Sequence, residues 1–222
     1  MDRRFTSSLP EGIYFVSGID TNVGKSYATG ILARELSAAG RSVITQKLVQ
    51  TGCIDSSEDI ELHRRIMGIA PTDEDTSMLT APEIFTYPCS PHLATVIDGR
   101  PIDFPRIDAA TRTLAERYKI VLLEGAGGLM VPLTDTMLTI DFIEQHRYPV
   151  LLVTSGRLGS INHTLLSLEA LERRGIETKA LLYNAYPSLE DKTIEEDTRR
   201  YLQSHTDIEI VDIPLLEGME QN

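Results

Sequence analysis

The segment GIDTNVGKS, from Gly18 to Ser26, constrains this chain more than any other. It follows the strand-forming run Ile13 to Ser17 and precedes a helical pattern from Lys25 to Ala39, the strand–loop–helix context of a phosphate-binding loop. In such a loop, backbone N–H groups and a helix N-terminus surround an anion. Lys25 supplies a compact cation, and the Ser26 hydroxyl is suited to a magnesium ion. In the common pattern G-x-x-x-x-G-K-[ST] four residues separate the glycines; here five separate Gly18 from Gly24, and Ile19 stands where the first glycine would. The glycine–lysine–hydroxyl end is intact. It predicts that Asn22, Val23, Gly24, Lys25, Ser26 and Tyr27 hold a nucleotide.

Short β-branched runs alternate with longer amphipathic stretches along the rest of the chain, which is the pattern of an α/β sheet with parallel strands. Strands are predicted at Ile13 to Ser17, Ser42 to Leu48, Ile120 to Glu124, Val150 to Thr154, Lys179 to Tyr183 and Ile208 to Asp212. IVLLE, VLLVT and KALLY lack polar alternation, as strands covered on both faces do. Helices are predicted at Lys25 to Ala39, Asp59 to Met67, Phe104 to Arg117, Leu138 to His146, Ser160 to Arg174 and Leu189 to Ser204. Gly40 and Gly175 stand where helix ends favour a left-handed residue. Gly68 to Pro101 reads as long loops with one short helix. The fold class is α/β: a single-domain P-loop NTPase fold over residues 1–222, its mostly parallel β-sheet flanked by helices on both faces.

Composition narrows the setting. With 222 residues, 41% hydrophobic and 24% charged, the chain has an ordinary globular profile and enough length for one substantial core. A net charge of −12 disfavours nucleic acid and anionic membranes, so a bound phosphate needs a local device. No stretch approaches the roughly 20 apolar residues that span a bilayer. Cys53 and Cys89 fit neither a disulfide framework nor a zinc site, and a cytoplasmic location is expected.

Other positions carry chemistry of their own. Lys47 and the Thr51 hydroxyl stand at the end of the second strand, at the carboxyl edge where open α/β sheets bind ligands. Glu124 ends another strand and runs into Gly125, Ala126, Gly127 and Gly128, whose bare backbone admits a phosphate while the carboxylate holds magnesium. RLGSINH opens a helix whose start, with Ser160, Ile161, Asn162 and His163, suits a substrate carboxylate. In CSPH, Ser90 and His92 serve either loop packing or substrate contact.

The five-residue spacing in GIDTNVGKS resembles the variant phosphate loop of the dethiobiotin synthetase family, written G-T-D-T-x-V-G-K-T, with Ile19 and Ser26 as departures. The resemblance continues in order through KLVQTG, CSPH, EGAGGLMVPL and RLGSINH, across most of the chain. It implies an ATP-dependent ligase of biotin biosynthesis, with Lys47, Lys25 and Thr21 in catalysis. It also implies Ser26, Asp59 and Glu124 at magnesium, with Asp55 and Glu58 as alternatives to Asp59. Asn184 would read the adenine edge, although Ala185 replaces an acid often found next, and Pro214, Leu215 and Leu216 would line the base. Thr51 and the segment Ser160 to His163 would hold the substrate, the latter at a homodimer contact, with Arg157 in place of a lysine common there. The implied substrates are 7,8-diaminononanoate, carbon dioxide and ATP.

Two other classes of protein share such a loop. A cobyrinate-type amidoligase normally carries an added glutamine-hydrolysing domain, for which this chain lacks room. A partition-type ATPase switch usually has a second lysine early in the loop, where Asp20 and Thr21 stand.

Overall fold

The structure, a computed structural model, describes residues 1, 3–184 and 192–216. Its strands are β1 (Gly12–Gly18), β2 (Val43–Lys47), β3 (Gln50–Thr51), β4 (Ile84–Phe85), β5 (Ile120–Gly128), β6 (Val150–Ser155), β7 (Thr178–Asn184) and β8 (Ile210–Ile213). Six of them form one parallel sheet in the order β2-β5-β1-β6-β7-β8. Successive residues such as Leu122 and Leu123, or Leu151 and Leu152, are all buried, although alternate side chains point to opposite faces. Both faces are therefore covered, as the unbroken apolar runs predict.

The helices are α1 (Arg3–Ser8), α2 (Lys25–Ala38), α3 (Glu58–Met67), α4 (Asp73–Thr76), α5 (Pro91–Ile97), α6 (Phe104–Arg117), α7 (Thr139–His146), α8 (Ser160–Arg173) and α9 (Lys192–His205). Right-handed crossovers explain their placement. The chain moves one way along the sheet from β1 to β2 and the other way from β5 to β6, so α2 and α7 lie on opposite faces. β1 is thus the switch point, and ligands bind beyond its carboxyl end. On α2, Leu32 and Leu36 are fully buried, and each such side chain contributes about 1.5–3 kcal/mol.

Most predicted elements appear within a residue or two of their expected bounds, and Gly40 and Gly175 have φ of 76° and 64°. The helix read from Leu189 is described from Lys192; Leu189 itself lies outside the described residues. The stretch read as loops with one short helix holds two helices, α4 and α5, and strand β4, which pairs with β3. Such short pieces carry no periodicity; β3 and β4 exist because Gln50 N–H and Cys53 N–H donate to the Glu83 and Phe85 carbonyls. Helix α1 was not predicted either. Buried Phe5 and Leu9 anchor it, and the Arg41 guanidinium donates to the Thr6 and Leu9 carbonyls.

Candidate active site

The loop between β1 and α2 turns through two left-handed residues, Asn22 at φ 58° and Gly24 at φ 84°. Gly24 is required twice over. A Cβ there would sit 2.2 Å from Asn184 Nδ2, an amide at the end of β7 that donates to the Val23 carbonyl at 3.0 Å. Ile19, in the place of the usual first glycine, is only 9% exposed and its N–H donates to the Val153 carbonyl. The extra residue therefore lets a side chain plug the core beneath the loop. Lys25 folds back along the loop, Nζ donating to the Asp20 carbonyl at 3.0 Å. Burial, followed by the nearby Lys47 charge, pushes its pKa down to about 8.

Beside the loop, three elements bring together a compact charged cluster. Helix α3 packs closely on α2: a Cβ on Gly30 would lie 2.8 Å from Ile66 Cδ1 and 3.3 Å from the His63 backbone. This closeness carries Asp59, in the first turn of α3, to Ser26 in the first turn of α2. Ser26 Oγ lies 2.7 Å from Asp59 Oδ1 and 2.8 Å from Glu124 Oε1, with one proton to donate between them. Lys47 Nζ lies 2.5 Å from Asp59 Oδ2 and 2.8 Å from Glu124 Oε1, and donates to the Gly125 carbonyl at 3.1 Å. Burial alone would lower the Lys47 pKa, but the charges of Glu124 and Asp59 outweigh it and raise the value. Burial alone would likewise raise Glu124; Lys47 and His63 hold it well below the usual carboxylate range.

The cluster and the loop open onto one cavity of about 1070 Å³, whose walls include Thr21, Lys25, Lys47, Thr51, Asp59 and Gly127. A phosphate-sized anion at its loop end would meet the Lys25 ammonium and the start of α2, with hard oxygen donors alongside.

Comparison with known proteins agrees with this geometry. Residues 13–221 match the family model of an AAA domain. The chain is 50% identical to "ATP-dependent dethiobiotin synthetase BioD 2" of Pasteurella multocida, over 87% of this chain and 92% of that protein. It is 55% identical to the protein of the same name from Haemophilus influenzae, over 79% and 92%. This chain belongs to the ATP-dependent dethiobiotin synthetase family. A dethiobiotin synthetase from Chlorobaculum tepidum is 49% identical over 84% of this chain and 78% of its own. Among solved structures, the signal recognition particle receptor FtsY from Elizabethkingia anophelis, in complex with GDP, superposes with a TM-score of 0.50 at 15% identity. That match covers 90% of this chain and 55% of the receptor, and it speaks to the fold alone.

Within this synthetase fold the remaining sequence-predicted residues take up different places. Asn22, Gly24, Ser26, Tyr27 and Ala126 join the residues already named in lining the cavity. Val23, buried, braces the loop from below, as a Cβ on Gly18 would lie 2.6 Å from its Cγ1. The C-terminal segment is stapled to α2, since Tyr27 Oη donates to the Pro214 carbonyl at 2.9 Å and accepts from Leu216 N–H at 2.8 Å. Leu215 between them is half exposed, and Ala185 lies outside the described residues.

Ser160, Ile161, Asn162 and His163 stand apart, on the first turn of α8. Ser160 is fully buried and its hydroxyl pairs with Ser155 Oγ at 2.9 Å, whereas Asn162 is exposed and the His163 side chain is partly so. Arg157 and Asp20 form an ion pair that ties this turn to the phosphate loop. Ser90 Oγ and His92 Nδ1 lie 3.0 Å apart at the start of α5, and both cysteines are free thiols.

Of the three candidate acids, Asp59 meets Ser26, Glu58 lines the cavity wall and Asp55 is exposed. Among the described residues no group of three or more His, Cys, Asp or Glu could hold a metal; the donor set here is one hydroxyl and two carboxylates. Sequence reasoning passed over His63, which is fully buried with Nε2 3.0 Å from Glu124 Oε2. Its place four residues after Asp59, on one helix face, was the available signal.

Proposed function

We propose that this protein closes the ureido ring of dethiobiotin from 7,8-diaminononanoate, carbon dioxide and ATP, releasing ADP and phosphate, with residues 1–222 acting as one domain. The observation that carries the reading is the Lys47 ammonium, buried against two carboxylates within the cavity that the phosphate loop also opens into. Family membership supplies the substrates.

On this reading one neutral substrate amine attacks carbon dioxide and loses a proton to solvent, giving a carbamate. A carbamate oxygen attacks the γ-phosphorus of ATP as the bond to ADP breaks, giving a carbamic–phosphoric anhydride. The second amine then attacks the anhydride carbon, phosphate leaves, and a proton is lost to solvent. Lys25 and the N–H groups at the start of α2 bind the phosphates. Lys47 stands where charge moves between carbamate and phosphate, so its fixed positive charge favours the transition state over the ground state. Closing the ring needs little beyond proximity once both ends of the substrate are held.

Ser26, Asp59 and Glu124 are hard oxygen donors of the type magnesium takes, and their oxygens already converge within 2.8 Å of Ser26 Oγ. A magnesium ion held there would neutralise charge on the ATP phosphates. Asn184, Pro214 and Leu216, gathered around the loop and Tyr27, support a base-binding role for this end of the sheet.

We further propose a homodimer in which the first turn of α8 holds the substrate carboxylate. Leu158 is exposed just before that turn, and farther along the same helix exposed Leu166 lies beside exposed Met130, which supports an apolar contact. Free thiols and the acidic surface fit a cytoplasmic protein without nucleic-acid or membrane partners. Among the described residues no helix is long and apolar enough to cross a membrane.

The deciding experiment measures ADP release with and without the diamine under bicarbonate. Diamine-dependent turnover with formation of the ureido product is expected; turnover indifferent to the diamine would overturn the assignment. Sedimentation at micromolar concentration should show a dimer, and a fully active monomer would remove the shared site.

A further inference from the structure

Beneath the charged cluster runs a chain of buried polar side chains that the proposed reaction does not use. Asp75 grips the Arg64 guanidinium through two bonds of 2.8 Å. Arg64 Nη1 donates to Thr45 Oγ1 at 2.9 Å, Thr45 Oγ1 lies 3.0 Å from His63 Nδ1, and His63 Nε2 lies 3.0 Å from Glu124 Oε2. Thr45, His63 and Glu124 are all fully buried, and Arg64 is 3% exposed.

The chemistry of its two ends gives this chain one direction. A guanidinium only donates, and an ionised carboxylate only accepts. Thr45 Oγ1 therefore accepts from Arg64 and has its own hydrogen free for His63 Nδ1. A ring with a single proton must then carry it on Nε2, where it is donated to Glu124 Oε2. No other arrangement of a singly protonated ring leaves every atom in the chain with a partner.

The two Glu124 oxygens are thereby given different duties. Oε1 faces Ser26 and Lys47, while Oε2 is turned away and held by His63. The last torsion of a glutamate is soft and roughly two-fold, so contacts at Oε1 alone would leave the carboxylate plane free to rotate. Since His63 is sealed from the cavity, it touches no substrate.

We propose that His63 is a positioning residue: through its Nε2–H it fixes the plane of the Glu124 carboxylate and so presents Oε1 to the magnesium and phosphate site. The inference rests on the reading of Ser26, Asp59 and Glu124 as metal donors. A histidine that merely fills the core would be replaceable by any side chain of similar volume, whereas this role requires a donor toward Glu124 and an acceptor toward Thr45. Glutamine offers both, whereas methionine, of nearly the same length, offers no donor and only a weakly accepting sulfur.

The test compares His63→Gln with His63→Met in complex with a nonhydrolysable ATP analogue, titrating manganese and following the free ion by electron paramagnetic resonance. His63→Met should weaken manganese binding about tenfold and His63→Gln by no more than roughly twofold, the scale on which supporting hydrogen bonds act on metal ligands. In steady-state assays His63→Met should raise the magnesium requirement while the KM for the diamine stays unchanged. Equal losses in both variants, or wild-type manganese affinity in His63→Met, would overturn the proposal while leaving the metal site standing. Absence of manganese binding in the unaltered protein would remove the metal site and the proposal together. If His63→Met does not fold, Thr45→Val serves instead: it keeps the ring and its Nε2–H but removes the hydroxyl that anchors Nδ1, so the ring holds Glu124 less firmly. Weaker manganese binding is then expected, and unchanged binding would count against the role.

Discussion

Lys47 and Glu124 are register partners on β2 and β5, and Nζ lies 2.8 Å from Oε1 across 77 residues of sequence. The pair is almost wholly removed from water, so each charge depends on the other and on the surrounding hydrogen bonds to remain ionised. Such an arrangement is poor as a stabilising device, because desolvation offsets most of the attraction. It is well suited to presenting a fixed charge beside a phosphate.

The two lysines of the site should fail differently. Lys25→Ala is expected to weaken binding of a nonhydrolysable ATP analogue by about tenfold or more, equivalent to roughly 1.4 kcal/mol, as read by calorimetric titration. Lys47→Ala should keep nucleotide affinity but lower kcat about a hundredfold or more, the usual scale for removing one preorganised charge. It should also destabilise the nucleotide-free protein by roughly 3–5 kcal/mol in denaturant unfolding, since Glu124 is left without its countercharge. Normal turnover by a folded Lys47→Ala protein would take that residue out of the mechanism.

Metal dependence offers a second test. Glu124→Gln and Asp59→Asn each replace an anionic donor by a neutral one, so each should raise the magnesium concentration that gives half-maximal rate. Should Asp59→Asn titrate like the unaltered protein while Glu124→Gln does not, Asp59 is not a ligand, and Glu58 on the cavity wall is the acid to test next.

Acid stability should report the Asp75–Arg64 pair. Burial alone would raise the Asp75 pKa, but the Arg64 guanidinium and the Thr72 N–H lower it below the ordinary aspartate value of about 3.9. A carboxylate whose folded pKa is depressed contributes its full stabilisation above the unfolded value and loses it as pH falls through the folded one. Asp75→Asn should therefore destabilise the protein at neutral pH and flatten the fall of stability below about pH 4. Parallel stability–pH curves for the two proteins would show that Asp75 plays no part in acid unfolding.

Gly24→Ala should damage the phosphate loop without touching any charge. A left-handed alanine costs about 1–2 kcal/mol, and its Cβ would collide with the Asn184 amide that holds the Val23 carbonyl. Nucleotide affinity is expected to fall while Lys25 and Ser26 remain in place; unchanged affinity in calorimetry would mean that the loop need not keep this shape.

Much of this protein was legible in the chain itself, because the signals concerned are local. The apolar runs IVLLE and VLLVT specify buried strands by composition alone, and GIDTNVGKS specifies a loop geometry that depends on a handful of adjacent residues. Helix α6 was predicted to its ends, where Asp103 accepts from Arg106 N–H as an N-cap and Pro105 stands in the first turn. What remained hidden depends on partners far apart in the sequence. Nothing in KLVQTG indicates that Lys47 faces Glu124; the register of β2 on β5 decides it. Nothing in SSEDIELHRR separates Asp59 from its acidic neighbours; the close packing of α3 on Gly30 of α2 decides which carboxylate reaches Ser26. Ser160 looked available at a helix start and is instead turned inward onto Ser155, and His63 looked ordinary and is the donor to Glu124. Periodicity and motif chemistry act over a few residues, whereas the direction of a side chain at the carboxyl edge of a sheet is set by packing and hydrogen bonds that exist only once the strands have paired.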